Sequence, residues 1–469
     1  MGKKERFYAD IMSVHKEVTG SCHIVHVRLP QGEKFDFIVD FGLFQEPQYM
    51  MCNDELKFNP DKIRFCLITH AHVDHIGRLP FLYRKGFRGY IYTTDVTKTI
   101  MPTALKDSAK VLRENAKKNK GRELYSEKDA RDVMQLVKGC GYNQWTQVNE
   151  NVRVMFLANG HLYGAAMILV QISYPDEKDI NILFAGDYND KNIFFDLEPI
   201  PEWVFSLPLT IVQESTYGYM DSSEMKASFR DNVIKHARNG GTIVIPAFAL
   251  GRMQEVLFWL KKFQQEKVLS TEIPIYVDGK LGIKYTLMCK NGVLGAKAEM
   301  LDFLPENVHF ADKSTKKTML QSGGAKIIVA TSGMGSHGPV QKYIPLYITS
   351  GKALIQFTGY VAEGTMGRRI KDTATGEPVK IKGLLYKREA DVEYTNEFSA
   401  HAKADEMIRF LQRFEHLNLV LINHGEATSK EIFARRVIEE VNSKNVGILG
   451  QYFFRVNPYG LVACKPTKF

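Results

Sequence analysis

The chain has 469 residues, more than one ordinary hydrophobic core organises, and this length indicates two domains. With 44% hydrophobic and 25% charged residues it has the composition of a globular protein, and no apolar run reaches the roughly eighteen residues of a transmembrane helix. Its net charge of +9 favours polyanionic partners, of which nucleic acid is the commonest.

The N-terminal sequence and the cysteines together predict a cytoplasmic protein. Residues 1–6 contain no apolar stretch of the kind that directs secretion. The six cysteines are scattered along the chain without a C-x-x-C pair, which is typical of reduced thiols that pack as small core residues. We therefore expect no membrane association.

The first part of the chain predicts paired strands, because short apolar runs at 11–18, 21–29 and 35–40 are separated by turn residues. The third run ends in Asp40, which opens the segment DFGLFQ. A carboxylate at this position is expected either to orient a metal-ligating histidine through a hydrogen bond or simply to cap the strand.

A strand predicted at 63–69 leads directly into the densest group of metal-ligand side chains in the sequence. The segment HAHVDHIG begins at His70, so that His70, His72, Asp74 and His75 fall within six positions. Imidazole and carboxylate are usual ligands of zinc, and one ion takes only three or four protein groups. The turn brings these side chains to one point. Since the His-x-His pair and the Asp-His pair together exceed what one ion uses, the spacing predicts two metal ions.

Further candidate ligands also follow strands. Residues 94–139 are predicted to be helical and strongly charged. Beyond them, apolar runs at 152–157 and 180–185 lead to His161 and Asp187. Since each candidate ligand follows the carboxyl end of a strand, one shared site at a sheet edge is predicted.

From about Ser206 the pattern changes to short apolar runs that alternate with helices, which indicates βαβ units around a parallel sheet. The first of these runs, at 209–213, leads to Glu214. Motifs with metal-ligand residues reappear near Thr395, which indicates that the chain returns there to the first domain.

These motifs resemble those of a known family. His-x-His-x-Asp-His is the signature of the metallo-β-lactamase superfamily, and the segments that start at Glu17 (EVTGSC) and Asp40 are similar to its further signatures. The stretch NEFSAHA, which contains His401, resembles motif B of the β-CASP branch of nucleic-acid-processing nucleases. The resemblance runs from about Ser13 to about Ile432.

The resemblance implies an α/β fold, a metallo-β-lactamase αββα sandwich with an inserted β-CASP α/β domain. The implied division assigns 1–205 to the first part of the metallo-β-lactamase domain, 206–394 to the insertion and 395–469 to the closing part of the first domain.

The resemblance also implies seven metal ligands, shared between two zinc ions, with manganese as the alternative metal. They are His70, His72 and His161 for one ion, Asp74, His75 and His424 for the other, and Asp187 for both. In two-metal sites the ions lie about 3.5–4 Å apart, activate water and neutralise charge on the attacked phosphate.

Three residues are implied in catalysis itself. Asp74 is implied both as a metal ligand and as a catalytic residue. His401 is expected to be the general acid that protonates the departing 3′ oxygen. Glu214 is expected to orient and protonate His401. At position 403 the chain carries Lys where the family has Asp, and Asp405 follows two residues later. Lys403 either removes a hydrogen bond near the site or adds a phosphate contact, and the sequence leaves both open.

Two glycine-rich stretches are candidates for phosphate or RNA binding. Residues 331–338 follow a predicted strand, where backbone N–H groups can form an anion-binding nest, and 359–369 resembles the family segment G-Y-x-x-x-G-T-x-G-R. Tight turns that require positive φ are the alternative interpretation. The predicted contacts are Ser332, Gly333, Ser336, His337, Arg368 and Arg369.

The expected function is zinc-dependent hydrolysis of RNA to 5′-phosphate and 3′-hydroxyl ends. RNA is preferred because RNA-processing members keep a histidine at motif C, here His424, whereas DNA-repair members commonly carry valine. A DNA nuclease of the same fold, a small-molecule metallo-hydrolase and an inactive nucleic-acid-binding scaffold are the alternatives. The complete ligand set argues against the scaffold, and the large insertion argues against a small substrate. Endonuclease or 5′-exonuclease action, and a homodimer, stay open.

Overall fold

The computed structural model describes residues 6–466 apart from residues 17, 47, 119, 226, 360 and 451. Residues 1–5 of the N-terminal segment, together with Glu17 and Tyr360 of the family-like stretches, therefore lie outside the described residues.

The secondary structure alternates strands and helices along most of the chain. The strands are β1 (Tyr8–Ser13), β2 (His23–Arg28), β3 (Lys34–Val39), β4 (Ile63–Leu67), β5 (Tyr90–Thr94), β6 (Val137–Cys140), β7 (Trp145–Gln147), β8 (Val152–Ala158), β9 (Ala166–Ile172), β10 (Ile180–Phe184), β11 (Leu209–Gln213), β12 (Thr242–Pro246), β13 (Ile275–Asp278), β14 (Val308–Phe310), β15 (Lys326–Ala330), β16 (Leu354–Phe357), β17 (Pro378–Ile381), β18 (Leu384–Lys387), β19 (Asp391–Tyr394), β20 (Leu417–Ile422), β21 (Val446–Ile448), β22 (Tyr452–Asn457) and β23 (Gly460–Pro466). The α-helices are α1 (Val73–Ile76), α2 (Leu79–Arg84), α3 (Asp95–Lys118), α4 (Glu127–Asp132), α5 (Phe229–Arg238), α6 (Arg252–Gln265), α7 (Lys280–Lys290), α8 (Lys313–Gln321), α9 (Val340–Tyr347), α10 (Met366–Asp372), α11 (Ala404–Gln412) and α12 (Ala427–Glu440).

Two large sheets form a sandwich. One has the strand order β23-β22-β1-β2-β3-β4-β5-β6 and the other the order β21-β20-β11-β10-β9-β8-β7. Their facing side chains share one apolar core, in which Phe37 and Phe65 of the first sheet meet Ile168 and Ile182 of the second. Helices α2, α3 and α4 cover the outer face of the first sheet, and α11 and α12 cover that of the second. This confirms the predicted αββα sandwich.

A third sheet, with the order β14-β13-β15-β12-β16-β19, is parallel throughout. Its strands are apolar on both faces, as parallel strands between two helical layers must be. In β12, Ile243 and Ile245 face the layer of α5, α6 and α7, while Val244 faces the layer of α8, α9 and α10. The two parts of the molecule pack against each other, since Lys284 Nζ of α7 donates a hydrogen bond to Thr103 Oγ1 of α3 at 2.7 Å.

The strand pairing differs from the sequence expectation at the start of the proposed insertion. The strand at 209–213, expected to open it, is β11, which pairs in parallel with β10 and β20 and so belongs to the sandwich. The first α-helix after β11 is α5, which starts at Phe229. Since β19 ends the third sheet at Tyr394, we propose that the insertion runs from the segment between β11 and α5 to β19, in place of 206–394.

The helical prediction for 94–139 is wrong at its end, because β6 at Val137–Cys140 pairs in parallel with β5. Val137 is buried there and completes the edge of the first sheet. Within the described residues, none of the helices combines the length and apolar character that crossing a bilayer requires.

Candidate metal centre and active site

The predicted site residues come together at one edge of the sandwich. Strands β3 and β4 are parallel, as are β10, β11 and β20, so that within each set the carboxyl ends lie at the same edge. The residues that follow these strand ends are Asp40 after β3, His70 after β4, His161 after β8, Asp187 after β10, Glu214 after β11 and His424 after β20.

His70, His72 and His161 direct three ring nitrogens at one another. The Nδ1 atom of His72 lies 3.2 Å from Nε2 of His70 and 3.1 Å from Nε2 of His161. A tetrahedral zinc ion with Zn–N bonds of about 2.0–2.1 Å holds its nitrogens about 3.3–3.4 Å apart. Oδ2 of Asp187 lies 3.8 Å from Nε2 of His70 and of His161. The spacing between the ligand atoms of these four groups therefore fits one tetrahedral cation.

Asp74, His75 and His424 form a second group, with ligand atoms within 4.8 Å of one another. Asp187 joins the two groups, because its Oδ2 is 3.4 Å from Nε2 of His75 and its Oδ1 is 3.3 Å from Nδ1 of His424. Among the described side chains, His75 Nε2, His424 Nε2 and Asp187 Oδ1 are buried without a hydrogen-bond partner. Buried polar atoms left unpaired are costly, so these atoms fit coordination to a cation.

Groups outside the two clusters hold the imidazoles in place. Nδ1 of His75 donates to Oδ2 of Asp40 at 2.8 Å, and Nδ1 of His161 donates to the carbonyl of Ala400 at 3.0 Å. In a neutral ring this uses the only N–H, so the lone pair of Nε2 faces the centre. Asp40 is itself held by the amide of Thr69 at 2.9 Å and by its hydroxyl at 2.8 Å.

Protonation in the cluster follows burial and neighbouring charge. Burial lowers the pKa of His70 and of His161 well below the ordinary value, and lowers the pKa of His72 to about 4. These rings are therefore neutral near pH 7 and keep lone pairs for a metal. Burial by itself opposes ionisation of Asp187, but neighbouring histidines, His424 first, lower its pKa well below the usual range.

His401 lies beside the cluster, paired with a buried carboxylate. Its Nδ1 is 3.0 Å from Oε1 and 2.9 Å from Oε2 of Glu214, and its ring centroid is 4.8 Å from that of His161. Glu214 also accepts a hydrogen bond from the amide of Tyr188 at 2.9 Å. Burial by itself opposes protonation of His401, but Glu214 and then Asp187 raise its pKa above the ordinary value. The pair can hold a proton next to the metal cluster.

Models of three domains match the chain. The metallo-beta-lactamase superfamily matches residues 18–128, the Beta-Casp domain matches 253–370, and the Zn-dependent metallo-hydrolase RNA specificity domain matches 385–448. Together these segments cover more than half of the chain and follow the order of the folded parts. The chain belongs to the β-CASP branch of the metallo-β-lactamase superfamily. With the His/Asp cluster, this membership makes a divalent metal the cofactor of the site.

Several curated proteins are similar to this β-CASP protein over most of its length. Ribonuclease TTHA0252 from Thermus thermophilus is 28% identical over 426 residues, which cover 88% of this chain and 91% of that protein. Transcription termination factor FttA from Cenarchaeum symbiosum is 28% identical over 80% of this chain. Endoribonuclease ysh1 from Schizosaccharomyces pombe is 27% identical over 92% of it. The alignments span only 60% of FttA and 56% of ysh1.

The candidate phosphate contacts of the β-CASP domain lie on two neighbouring segments, the glycine-rich loop and helix α10. Oγ of Ser336 accepts a hydrogen bond from the amide of Met366 at 2.9 Å, which joins the glycine-rich loop to the start of α10. Arg368 is paired with Asp372 at 2.7 Å, and Arg369 donates to a backbone carbonyl at 3.0 Å. Both guanidinium groups are therefore engaged within their own domain. Ser332, Gly333 and His337 belong to the same loop.

Two threonines that the sequence did not single out contact groups of the candidate metal centre. Thr69 binds Asp40 and lies 3.1 Å from Nδ1 of His70, and Thr216 Oγ1 lies 3.1 Å from Nδ1 of His424. Thr69 directly precedes the histidine motif, so its place at the strand end was a usable signal. The carbonyl that accepts from His161 carries no such signal, because any residue type supplies one.

Proposed function

We propose that this β-CASP protein is a nuclease that hydrolyses RNA with two zinc ions and leaves 5′-phosphate and 3′-hydroxyl ends. The observation that carries the proposal is the convergence of seven ligand groups, five of them buried, beside a histidine–carboxylate pair. Bound metal ions would supply charge neutralisation at the attacked phosphate and a water of lowered pKa. Manganese is the alternative metal.

The ligand roles in this proposal follow the two groups in the structure. His70, His72 and His161 would hold one ion, Asp74, His75 and His424 the other, and Asp187 both. Asp40 would keep the ring of His75 turned toward the metal, which carboxylate–histidine contacts do in metal sites.

His401 is proposed as the general acid. An alkoxide is a poor leaving group, and a protonated imidazole held near the scissile bond can deliver its proton to the 3′ oxygen as that bond breaks. The contact between Nδ1 and Glu214 leaves the other ring nitrogen to face the substrate. The carboxylate stabilises the protonated ring and orients it.

RNA is proposed as the substrate for two reasons. The matched relatives include proteins named ribonuclease and endoribonuclease, and His424 occupies motif C. The net charge of +9 favours a polyanion of either kind. A cytoplasmic location is part of the proposal, and it is supported by six cysteines of which none forms a disulfide. For the oligomeric state, the proposal leaves a homodimer open.

The deciding experiment incubates the zinc-loaded protein with end-labelled RNA that carries a 5′-monophosphate or a 5′-hydroxyl, and with DNA of the same sequence. We expect RNA products with 5′-phosphate ends, little cleavage of DNA, and no cleavage after chelation. The ladder of products separates internal cleavage from stepwise 5′ removal. Equal cleavage of both nucleic acids, or intact RNA with two metals bound, would reject the proposal.

A further inference from the structure

Lys403 is a buried lysine beside the proposed general acid, in the position where the family has an aspartate. Its side chain is 2% exposed. Nζ donates a hydrogen bond to the carbonyl oxygen of His401 at 3.1 Å and lies 4.0 Å from the centroid of the Tyr217 ring. Among the described residues, no carboxylate lies within 4.0 Å of Nζ. A lysine is strongly hydrated, so burying one without an ion pair needs a compensating role.

Backbone hydrogen bonds hold the residues on both sides of Lys403 in place. The amide of Ala402 donates to the carbonyl of Tyr188 at 2.8 Å, and the amide of Ala404 donates to the carbonyl of Met220 at 2.9 Å. The amide of Lys403 donates to Oε2 of Glu406 at 2.8 Å at the start of α11. The backbone on both sides of Lys403 is therefore hydrogen-bonded to Tyr188, whose amide donates to Glu214, and to Met220.

The Lys403 side chain turns back toward the proposed acid from this braced backbone. The ammonium group of Lys403 lies over the face of the Tyr217 ring. The centroids of the Tyr217 and His401 rings are 6.3 Å apart. A cation over an aromatic face and a cation on a carbonyl oxygen both favour the charged lysine. Burial lowers the pKa of Lys403 to about 8, so the amine is still protonated in most molecules at pH 7.

We propose that Lys403 is a positioning residue, whose ammonium group fixes the His401 backbone against the Tyr217 ring and so keeps the His401 imidazole on Glu214. Of the two roles that the sequence left open, a phosphate contact is disfavoured, because a side chain that is 2% exposed does not reach substrate. The inference rests on the proposed function, since it assigns Lys403 to the general acid of that reaction.

Asp405 does not take over the place of the family's aspartate. Its Oδ1 and Oδ2 accept hydrogen bonds from the amide and hydroxyl of Ser222 at 2.8 and 2.6 Å, and Oδ2 pairs with Arg409 at 2.8 Å. These contacts direct the carboxylate away from His401. The lysine is therefore the charged group that holds the loop.

The test compares Lys403→Met, which keeps the length of the side chain and loses its charge, with Lys403→Arg, which keeps the charge. The substrates are RNA with an ordinary scissile bond and RNA whose departing 3′ oxygen is replaced by sulfur, because a thiolate leaves without protonation. We expect Lys403→Met to lower kcat on the oxygen substrate by about 10- to 10²-fold, a part of the 10²–10⁴-fold typical of general acid catalysis. KM and metal content should stay unchanged, the sulfur substrate should be cleaved near the wild-type rate, and Lys403→Arg should recover most of kcat.

Lys326→Met is the matched control. Lys326 is also buried, and its Nζ donates to the carbonyl of Met319 at 2.9 Å, but it lies in β15 of the parallel sheet. Its loss should lower the melting temperature without any difference between the two substrates. If thermal melting shows that Lys403→Met does not fold, Lys403→Gln takes its place with the same expectation.

Three outcomes separate this inference from the proposed function. An equal loss of kcat on both substrates would show that Lys403 is only structural. A raised KM with unchanged kcat would make it a phosphate contact. Either outcome overturns the inference alone. If His401→Ala, assayed in parallel, is not rescued by the sulfur substrate, then the proposed general acid is wrong, whatever Lys403 does.

Discussion

His161 and His401 are neighbours whose pKa values are shifted in opposite directions, although both are largely buried. Their ring centroids are 4.8 Å apart. Nδ1 of His161 faces the neutral carbonyl of Ala400, and burial holds its pKa well below the ordinary value. Nδ1 of His401 faces the carboxylate of Glu214, which raises the pKa of His401 against the effect of burial. For these two rings, the opposite pKa shifts follow from burial and from the charge of the group that faces Nδ1.

The largest effect should come from removing the group that joins both ligand sets. Asp187→Ala deletes the carboxylate that lies beside His75 and His424 of one ligand group and beside His70 and His161 of the other. We therefore expect the loss of at least one metal ion and no measurable cleavage. Elemental analysis of the purified variant measures the metal content. A variant that retains two ions per chain would contradict the bridging role, and a fully loaded wild type with one ion would contradict the dinuclear site.

The next effect tests the contrast between the two histidines directly. His401→Ala should keep both metal ions and bind RNA, yet cleave it about 10²–10⁴-fold more slowly, the usual range for general acid catalysis. RNA with sulfur in place of the departing oxygen should recover most of this loss. His424→Ala is the control, because it should lose metal and should not be rescued by sulfur. Metal loss in His401→Ala would show that His401 is a ligand.

A smaller effect is expected when an imidazole keeps its place but loses its hydrogen-bond partner. Asp40→Asn removes the charge that holds Nδ1 of His75, and such outer contacts typically contribute about 10- to 100-fold in metal affinity. Titration of the metal-free variant with zinc should show weaker binding, and activity should return at excess zinc. Unchanged affinity would mean that Asp40 serves only to join β3 to Thr69.

The smallest effect should appear as a change in pH dependence. A general acid acts when protonated, so kcat falls as pH rises through the pKa of His401, which Glu214 raises above its ordinary value. In Glu214→Gln that support is lost, the pKa falls, and the alkaline limb of the kcat profile should move to lower pH. The rate loss at low pH should stay below the lower end of the general-acid range, about 10²-fold. An unmoved limb would assign it to a group other than His401.

Local spacing made much of the site predictable from the sequence. His70, His72, Asp74 and His75 follow one apolar strand within six positions, so a single turn is enough to bring them together. The alternation of short apolar runs and helices likewise indicated a parallel sheet, which the structure contains between β12 and β19. The prediction of the family and of the sandwich fold is confirmed. The assignment of individual ligands stays a prediction that metal analysis must test.

Contacts between distant segments were decided only by the tertiary structure. The alternation of strands and helices from about Ser206 placed β11 in the insertion, but its pairing with β10 and β20 places it in the sandwich. Strand order depends on which neighbours bury a run, and an apolar run of five residues does not specify them. The same holds for Lys403, whose sequence position allowed a phosphate contact until burial against Tyr217 showed its side chain turned inward. Ligand types and strand ends are local properties of the sequence, whereas the partner of each Nδ1 and the exposure of each charge depend on how the whole chain packs.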